Sequence, residues 1–117
     1  MVIKSNKVSD YEGFKSLTEY DEAFTERPDW INVNEVGTYI NKIGDSYKIY
    51  HCVQDDEMRF VWHKLHSMTY DKNLKRLMMP ISTFIALKFI EDDITEDEVL
   101  INACKEFGKE DTENEKV

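Results

Sequence analysis

Hydrophobic and polar positions alternate most cleanly between Tyr47 and Leu65, where YKIYHCVQDDEMRFVWHKL places two aromatic-rich runs on either side of an acidic turn. Tyr47, Ile49, His51 and Val53 alternate with Lys48, Tyr50 and Cys52, the period of a strand, in which every second side chain shares a face. With Asp55 and Asp56 at the centre of the turn, Val53 faces Met58, His51 faces Phe60 and Ile49 faces Trp62, an apolar face. Lys48, Tyr50, Cys52, Arg59, Val61 and His63 then fall on the other face. Asp-Asp is a poor two-residue turn because both positions want positive φ, so a longer loop with a shifted register stays open.

Upstream, residues 1–8 read as a loose polar arm in which Val2 and Ile3 can add a short edge strand. Ser9-Asp10-Tyr11-Glu12 has capping-box spacing, and Phe14, Leu17, Tyr20 and Phe24 recur at steps of three and four, which predicts an N-terminal helix ending at Arg27-Pro28. Val36 to Ile43 has two readings. As a strand it joins the hairpin through Gly44-Asp45, a type II′ turn; as a helix it is capped by Asn34 and ended by Gly44. Thr38, Tyr39 and Ile40 favour the strand, and Gly37 weakens the helix. In the helical reading, Trp30-Ile31-Asn32-Val33-Asn34-Glu35-Val36 with Tyr39-Ile40 resembles the opening of excisionase-type helix-turn-helix domains. Where such a domain carries a turn and a basic recognition helix, this chain has Tyr47-Lys48-Ile49-Tyr50 in acidic surroundings.

Downstream, Asp71-Lys72-Asn73-Leu74 can open a short helix with Leu74, Leu77 and Met78 inward, stopped by Pro80. Ile81 to Ile90 is apolar almost all round and predicts a buried element; its length and Ser82 or Thr83 as cap favour a helix, while its β-branched and aromatic content leaves a strand open. Thr95-Glu96-Asp97-Glu98 is a capping box whose carboxylates sit at the positive end of a last helix; Val99, Leu100, Ala103, Cys104 and Phe107 form its stripe and Gly108 its end. Residues 109–117 are a polar tail. The expected architecture is a small single α+β domain over residues 9–108: an antiparallel sheet of two or three strands (about 36–43, 46–53 and 58–65), an N-terminal helix, and two or three C-terminal helices.

Composition adjusts this picture. The 117 residues suit one domain with one core. A net charge of −9 disfavours direct nucleic-acid binding, since phosphate contacts need clustered bases, and favours a basic partner. Cys52 and Cys104 read as reduced buried thiols, and no apolar run reaches membrane-spanning length, so a cytoplasmic location is expected. Between Met58 and Met79 the chain carries Arg59, Lys64, Lys72, Lys75 and Arg76 against Asp71 alone, so the fold is either electrically polarised or pairs these bases internally or across a homodimer.

Candidate chemistry is sparse. Glu91, Asp92, Asp93, Glu96, Asp97 and Glu98 concentrate charge, but their spacing does not match a calcium loop; a helix start and a partner-facing patch explain them better. In the register above, His51 points inward and His63 outward, so no metal is expected there; Cys52 with His63 on the same face is the remaining thiol–base pair. No phosphate loop or nucleophile elbow is present. These features favour a non-enzymatic protein–protein interaction factor, of an inhibitor, antitoxin-like or immunity-like type, binding a basic and possibly nucleic-acid-binding protein. Its expected contacts are Glu91, Asp92, Asp93, Glu96, Asp97, Tyr50, Arg59 and His63, with no cofactor, metal or catalytic residue. The alternative is a small enzyme or ligand-binding domain that uses the His, Cys and carboxylate groups.

Overall fold

The computed structural model describes residues 1–8 and 20–105. Its framework is one seven-stranded antiparallel sheet: β1 Val2–Ser5, β2 Tyr20–Phe24, β3 Gly37–Ile43, β4 Ser46–Gln54, β5 Phe60–Leu65, β6 Met68–Asp71 and β7 Arg76–Met78. Helix α1 (Ile81–Ile90), a 3₁₀ turn (Glu91–Asp93) and helix α2 (residues 98–105) follow. The strand order is β1-β3-β4-β5-β2, with β6 beside β4 and β7 beside β6.

Strand β4 is the axis. Tyr50 to Gln54 pair with β5, while Ser46 and Tyr47 pair with β6, so β5 and β6 follow one another along the same side of β4 and are interrupted at His66 and Ser67. The β3–β4 hairpin closes through Gly44-Asp45 between the paired Ile43 and Ser46. Gly44 has φ +60° while Asp45 does not enter the positive-φ region, the signature of a II′ turn. This hairpin matches the strand reading of residues 36–43, and it removes the helix on which the helix-turn-helix likeness depended.

Each face of the sheet has its own core. On one, Ile3, Ile40, Tyr47, Ile49, Leu65 and Met68 pack with Leu87 and Ile90 of α1 and Leu100 and Cys104 of α2. On the other, Tyr39, Cys52 and Trp62 pack with Ile31, and Phe24, Trp30, Tyr50 and Phe60 close around them. Burying each such aliphatic side chain contributes roughly 1.5–3 kcal/mol, which is why this all-round apolar segment forms α1: one side covers the sheet. Its other side is not fully covered, with Ile81 61% and Phe89 47% exposed.

Several expectations need correction. The sheet has seven strands rather than two or three. The N-terminal half of the expected first helix lies outside the described residues, but its C-terminal part, Tyr20–Phe24, is strand β2 on an edge of the sheet, antiparallel to β5. Tyr20 and Phe24 are four residues apart, a spacing that a helix and a strand share. Val2–Ser5 takes the edge-strand option, with Ile3 buried. Residues 71–78 form the β6–β7 hairpin instead of a short helix. The Asp71 carboxylate accepts the N–H groups of Asn73 (2.9 Å) and Leu74 (3.0 Å), the hydrogen bonds that would begin a helix, but Lys75 at φ +56° turns the chain back. The last helix begins after Asp97, not after Thr95, and its expected end at Gly108 lies outside the described residues.

The β4–β5 register departs furthest. Tyr50, His51, Cys52, Val53 and Gln54 oppose Lys64, His63, Trp62, Val61 and Phe60, a shift of three residues. Because side chains alternate with period two, an odd shift exchanges faces. Phe60 and Trp62 move to the face of Tyr50 and Cys52, while Val61, His63 and Leu65 join Ile49, His51 and Val53.

Gly37 admits β1 at close range: a Cβ there would lie 2.6 Å from the Ser5 carbonyl oxygen. Gly37→Ala is expected to destabilise the protein by about 1–3 kcal/mol in urea denaturation, through overpacking against backbone. Gly44→Ala, where nothing lies within 4 Å, is expected to cost only the left-handed penalty of about 1–2 kcal/mol.

Candidate functional site

The acidic run from Glu91 to Glu98 connects the two helices and is tied to the sheet at two points. At the first, the Asp93 carboxylate accepts Ser5 Oγ (2.9 Å) and the Asn6 N–H (2.5 Å) at the end of β1. Those two donors hold its carboxyl below the usual carboxylate range. At the second, Asp97 is the N-cap of α2: its Oδ1 accepts the Leu100 N–H at 2.9 Å, and its carbonyl accepts the Ile101 N–H at 3.0 Å.

Asp97 is only 4% exposed and also meets the Lys42 ammonium of β3 at 3.0 Å and the Tyr47 hydroxyl of β4 at 3.3 and 3.4 Å. Burial pushes its carboxyl up. The Leu100 N–H, Lys42 and Tyr47 outweigh burial, so the group stays ionised with a lowered pKa. Burial raises the Tyr47 phenol, which keeps it a donor.

These ties divide the predicted acids. Asp93 and Asp97 face inward, and Glu91 pairs with Lys88 at 2.8 Å. Asp92, Glu96 and Glu98 are exposed; Asp92 reaches Lys7 only at 3.9 Å. Ile94, buried next to Asp93, helps pin the linker, while Thr95 and Glu96 between it and Asp97 are exposed.

The other predicted contacts do not form one surface. Tyr50 is half-buried on the aromatic face, with ring centroids 5.7 Å from Trp30 and 6.4 Å from Phe24. Arg59 sits in the β4–β5 loop and pairs with Asp55 at 2.9 Å and Glu57 at 3.4 Å. His63 is on the opposite face from Tyr50, directly across from His51. Lys72 pairs with Asp45 at 3.3 Å, so part of the basic stretch is neutralised within the chain.

The register also builds a polar row that the expected pairing concealed. Ser5, Thr38, His51 and His63 are successive cross-strand partners on β1, β3, β4 and β5. Ser5 and Thr38 are fully buried and His51 is 2% exposed. The Thr38 hydroxyl donates to the Lys7 carbonyl at 2.7 Å, so its oxygen is left to accept from His51 Nδ1 at 2.8 Å. A hydroxyl has one hydrogen, and this chain therefore fixes the Nδ1–H tautomer of His51. Burial, with His63 adding repulsion, pushes the His51 pKa down to about 3, so the ring is neutral near pH 7.

Two earlier constraints are reversed. His51 and His63 share a face, and Cys52 and His63 do not, which removes the thiol–base pair. Burial pushes both thiols up, Cys52 and Cys104 each to about 11, so neither supplies thiolate near neutral pH. Among the described residues, no group of three or more His, Cys, Asp and Glu is placed to hold a metal ion. Among them, no helix is long and apolar enough to cross a membrane.

No family model, curated protein or solved structure matches the chain.

Asp97→Asn retains the cap but loses the ion pair, and is expected to destabilise by about 1 kcal/mol; Asp97→Ala loses both, about 3 kcal/mol, read from urea midpoints. His51 gives a pH signature. Unfolding returns its pKa to about 6.5, so between pH 6.5 and 3 the unfolded chain binds the extra proton and stability falls with falling pH, approaching about 1.4 kcal/mol per unit. A His51→Gln variant should show a flatter stability profile between pH 7 and 5; an unchanged slope would assign the dependence to other groups.

Proposed function

We propose that this protein is a non-enzymatic interaction factor, of the inhibitor, antitoxin or immunity type, that presents acidic surface to a basic protein partner in the cytoplasm. The observation that carries the reading is the division of the linker acids: Asp93 and Asp97 anchor it to the sheet, while Asp92, Glu96 and Glu98 are left exposed on a braced segment. A braced segment loses little entropy on docking, and carboxylates on it steer a basic surface toward it. The groups with chemical potential support the same reading, because they are turned to structural use. His51 is neutral and bound to Thr38, both thiols are raised, and Asp97 is saturated with donors.

Among the described residues, the long Lys7–Asp92 contact is the one ion pair these exposed carboxylates make, so their reversal is expected to leave the fold intact. An Asp92→Lys/Glu96→Lys/Glu98→Lys variant is expected to melt within a few degrees of wild type, Glu98 at the start of α2 accounting for the difference. Immobilised wild-type protein should retain a basic protein from host extract at low salt and release it at high salt. The triple variant should bind that protein at least about tenfold more weakly. Retention of the same partner by the variant, or binding insensitive to salt, would overturn the proposal.

A further inference from the structure

We propose that Met58, at the tip of the β4–β5 hairpin, is an apolar anchor that inserts into a pocket on the partner, a pocket rimmed by basic groups. This rests on the reading of the protein as an acidic factor for a basic partner, and it adds a second contact element to the braced linker.

Met58 contradicts both of its local environments. Its φ of +67° lies in the left-handed region that suits Gly or Asn, and its side chain is 70% exposed, where a polar residue would be solvated. Neither backbone preference nor packing among the described residues explains a methionine there. Strained backbone clusters at functional sites, and here it coincides with an exposed apolar side chain, as it does not at Lys75.

The strained conformation is also enforced. Beyond the last ladder pair, Gln54 with Phe60, the Asp55 N–H donates to the Arg59 carbonyl (2.9 Å) and the Met58 N–H to the Asp55 carbonyl (3.0 Å). Asp55 Oδ1 accepts the N–H groups of Glu57 and Arg59, each at 2.9 Å, and Oδ2 accepts Arg59 Nε at 2.9 Å. Gln54 Nε2 reaches the Met58 carbonyl at 3.4 Å. The loop is therefore preorganised, with the thioether side chain standing outward from a fixed backbone.

The β6–β7 hairpin is an internal comparison. It too begins on an aspartate that accepts backbone N–H groups, and it too places a non-glycine residue in the left-handed region, Lys75 at φ +56°. There the side chain is one that water solvates. At the β4–β5 tip, Asp55, Asp56 and Glu57 outnumber Arg59, which is itself held by Asp55 and Glu57. An apolar, adaptable side chain in a carboxylate collar complements an apolar pocket with a cationic rim. The tip projects from the end of the sheet at which Ser5 holds Asp93, so it lies at the same end as Asp92.

The test compares Met58→Gly, Met58→Asn and Lys75→Gly with wild type, using as probe the basic protein that wild type retains at low salt, repurified. All three variants relieve backbone strain, so none should melt below wild type, and the glycine variants should gain about 2–4 °C. Both Met58 variants should bind the probe at least about tenfold more weakly, and Lys75→Gly should bind as wild type does. Wild-type affinity in both Met58 variants would overturn the anchor while leaving the acidic reading intact, provided the triple linker reversal still weakens binding. A lowered melting temperature in both Met58 variants would mean that Met58 supports the fold, and would also overturn it. So would an equal loss of binding in Lys75→Gly. If wild type retains no basic protein, or the triple reversal binds as wild type does, the proposed function itself falls.

Discussion

The Asp97 carboxylate joins the two layers of the molecule. It caps α2, receives the Lys42 ammonium from β3 and the Tyr47 hydroxyl from β4, and is almost wholly withdrawn from water. Removing a carboxylate from water is expensive, and the cost is offset only because its donors come from three different elements. Without the helix there is no Leu100 N–H in place, and without the sheet there is no cation. The α2 core residues Leu100 and Cys104 sit within two turns of this point, so their burial against the sheet depends on the register that Asp97 sets.

The same division between inward and outward groups organises the sheet. One face carries an apolar row, Ile3 with Ile40 and Ile40 with Ile49, next to the polar row of Ser5, Thr38, His51 and His63. A polar row in a buried position is tolerable only when its hydrogens are assigned in a consistent direction. Here the direction is set from the edge: the Lys7 carbonyl accepts from Thr38, and Thr38 accepts from His51. A one-residue slip of β3 would bring Tyr39 or Gly37 into this row and leave His51 without Thr38, so the network discriminates against alternative registers more than it adds stability.

What the sequence made legible follows from which signals are unambiguous. Alternation from Tyr47 to Val53 marks β4 directly, whereas residues 36–43 also fitted a helix, and only Thr38, Tyr39, Ile40, Gly37 and the Gly-Asp turn tipped them toward β3 and its hairpin. The apolar run of α1 and the acidic start of α2 are also direct, although the capping-box spacing points to Thr95, whereas the cap is Asp97, held there by Lys42 and Tyr47. The β4–β5 turn was not legible because no Gly or Asn marks it. It is made by the Asp55 side chain and by a methionine in a conformation that its residue type does not advertise. The three-residue error in register then moved Trp62 and Phe60 to the wrong face, and it hid the polar row with them. Spacing of four at Tyr20 and Phe24, and an aspartate at Asp71 that can start either a helix or a turn, account for β2, β6 and β7.

Charge completes the connection between fold and proposed role. Lys42, Lys72, Lys88 and Arg59 each have a carboxylate within 3.3 Å, and Lys4 is bonded to Glu35. With 15 basic and 24 acidic residues, pairing of this kind uses up bases before it uses up acids. The surplus collects where the described residues offer no close cation: Asp92, 3.9 Å from Lys7, and Glu96 and Glu98 are exposed there. Exposed ion pairs contribute little, commonly below about 1 kcal/mol, so even the paired surface acids can exchange a lysine of their own chain for a partner's base. Asp97 is the exception, since its lysine is held by a buried carboxylate that also caps a helix. A basic partner can therefore draw on the outer acids without loosening the inner one that holds them in place.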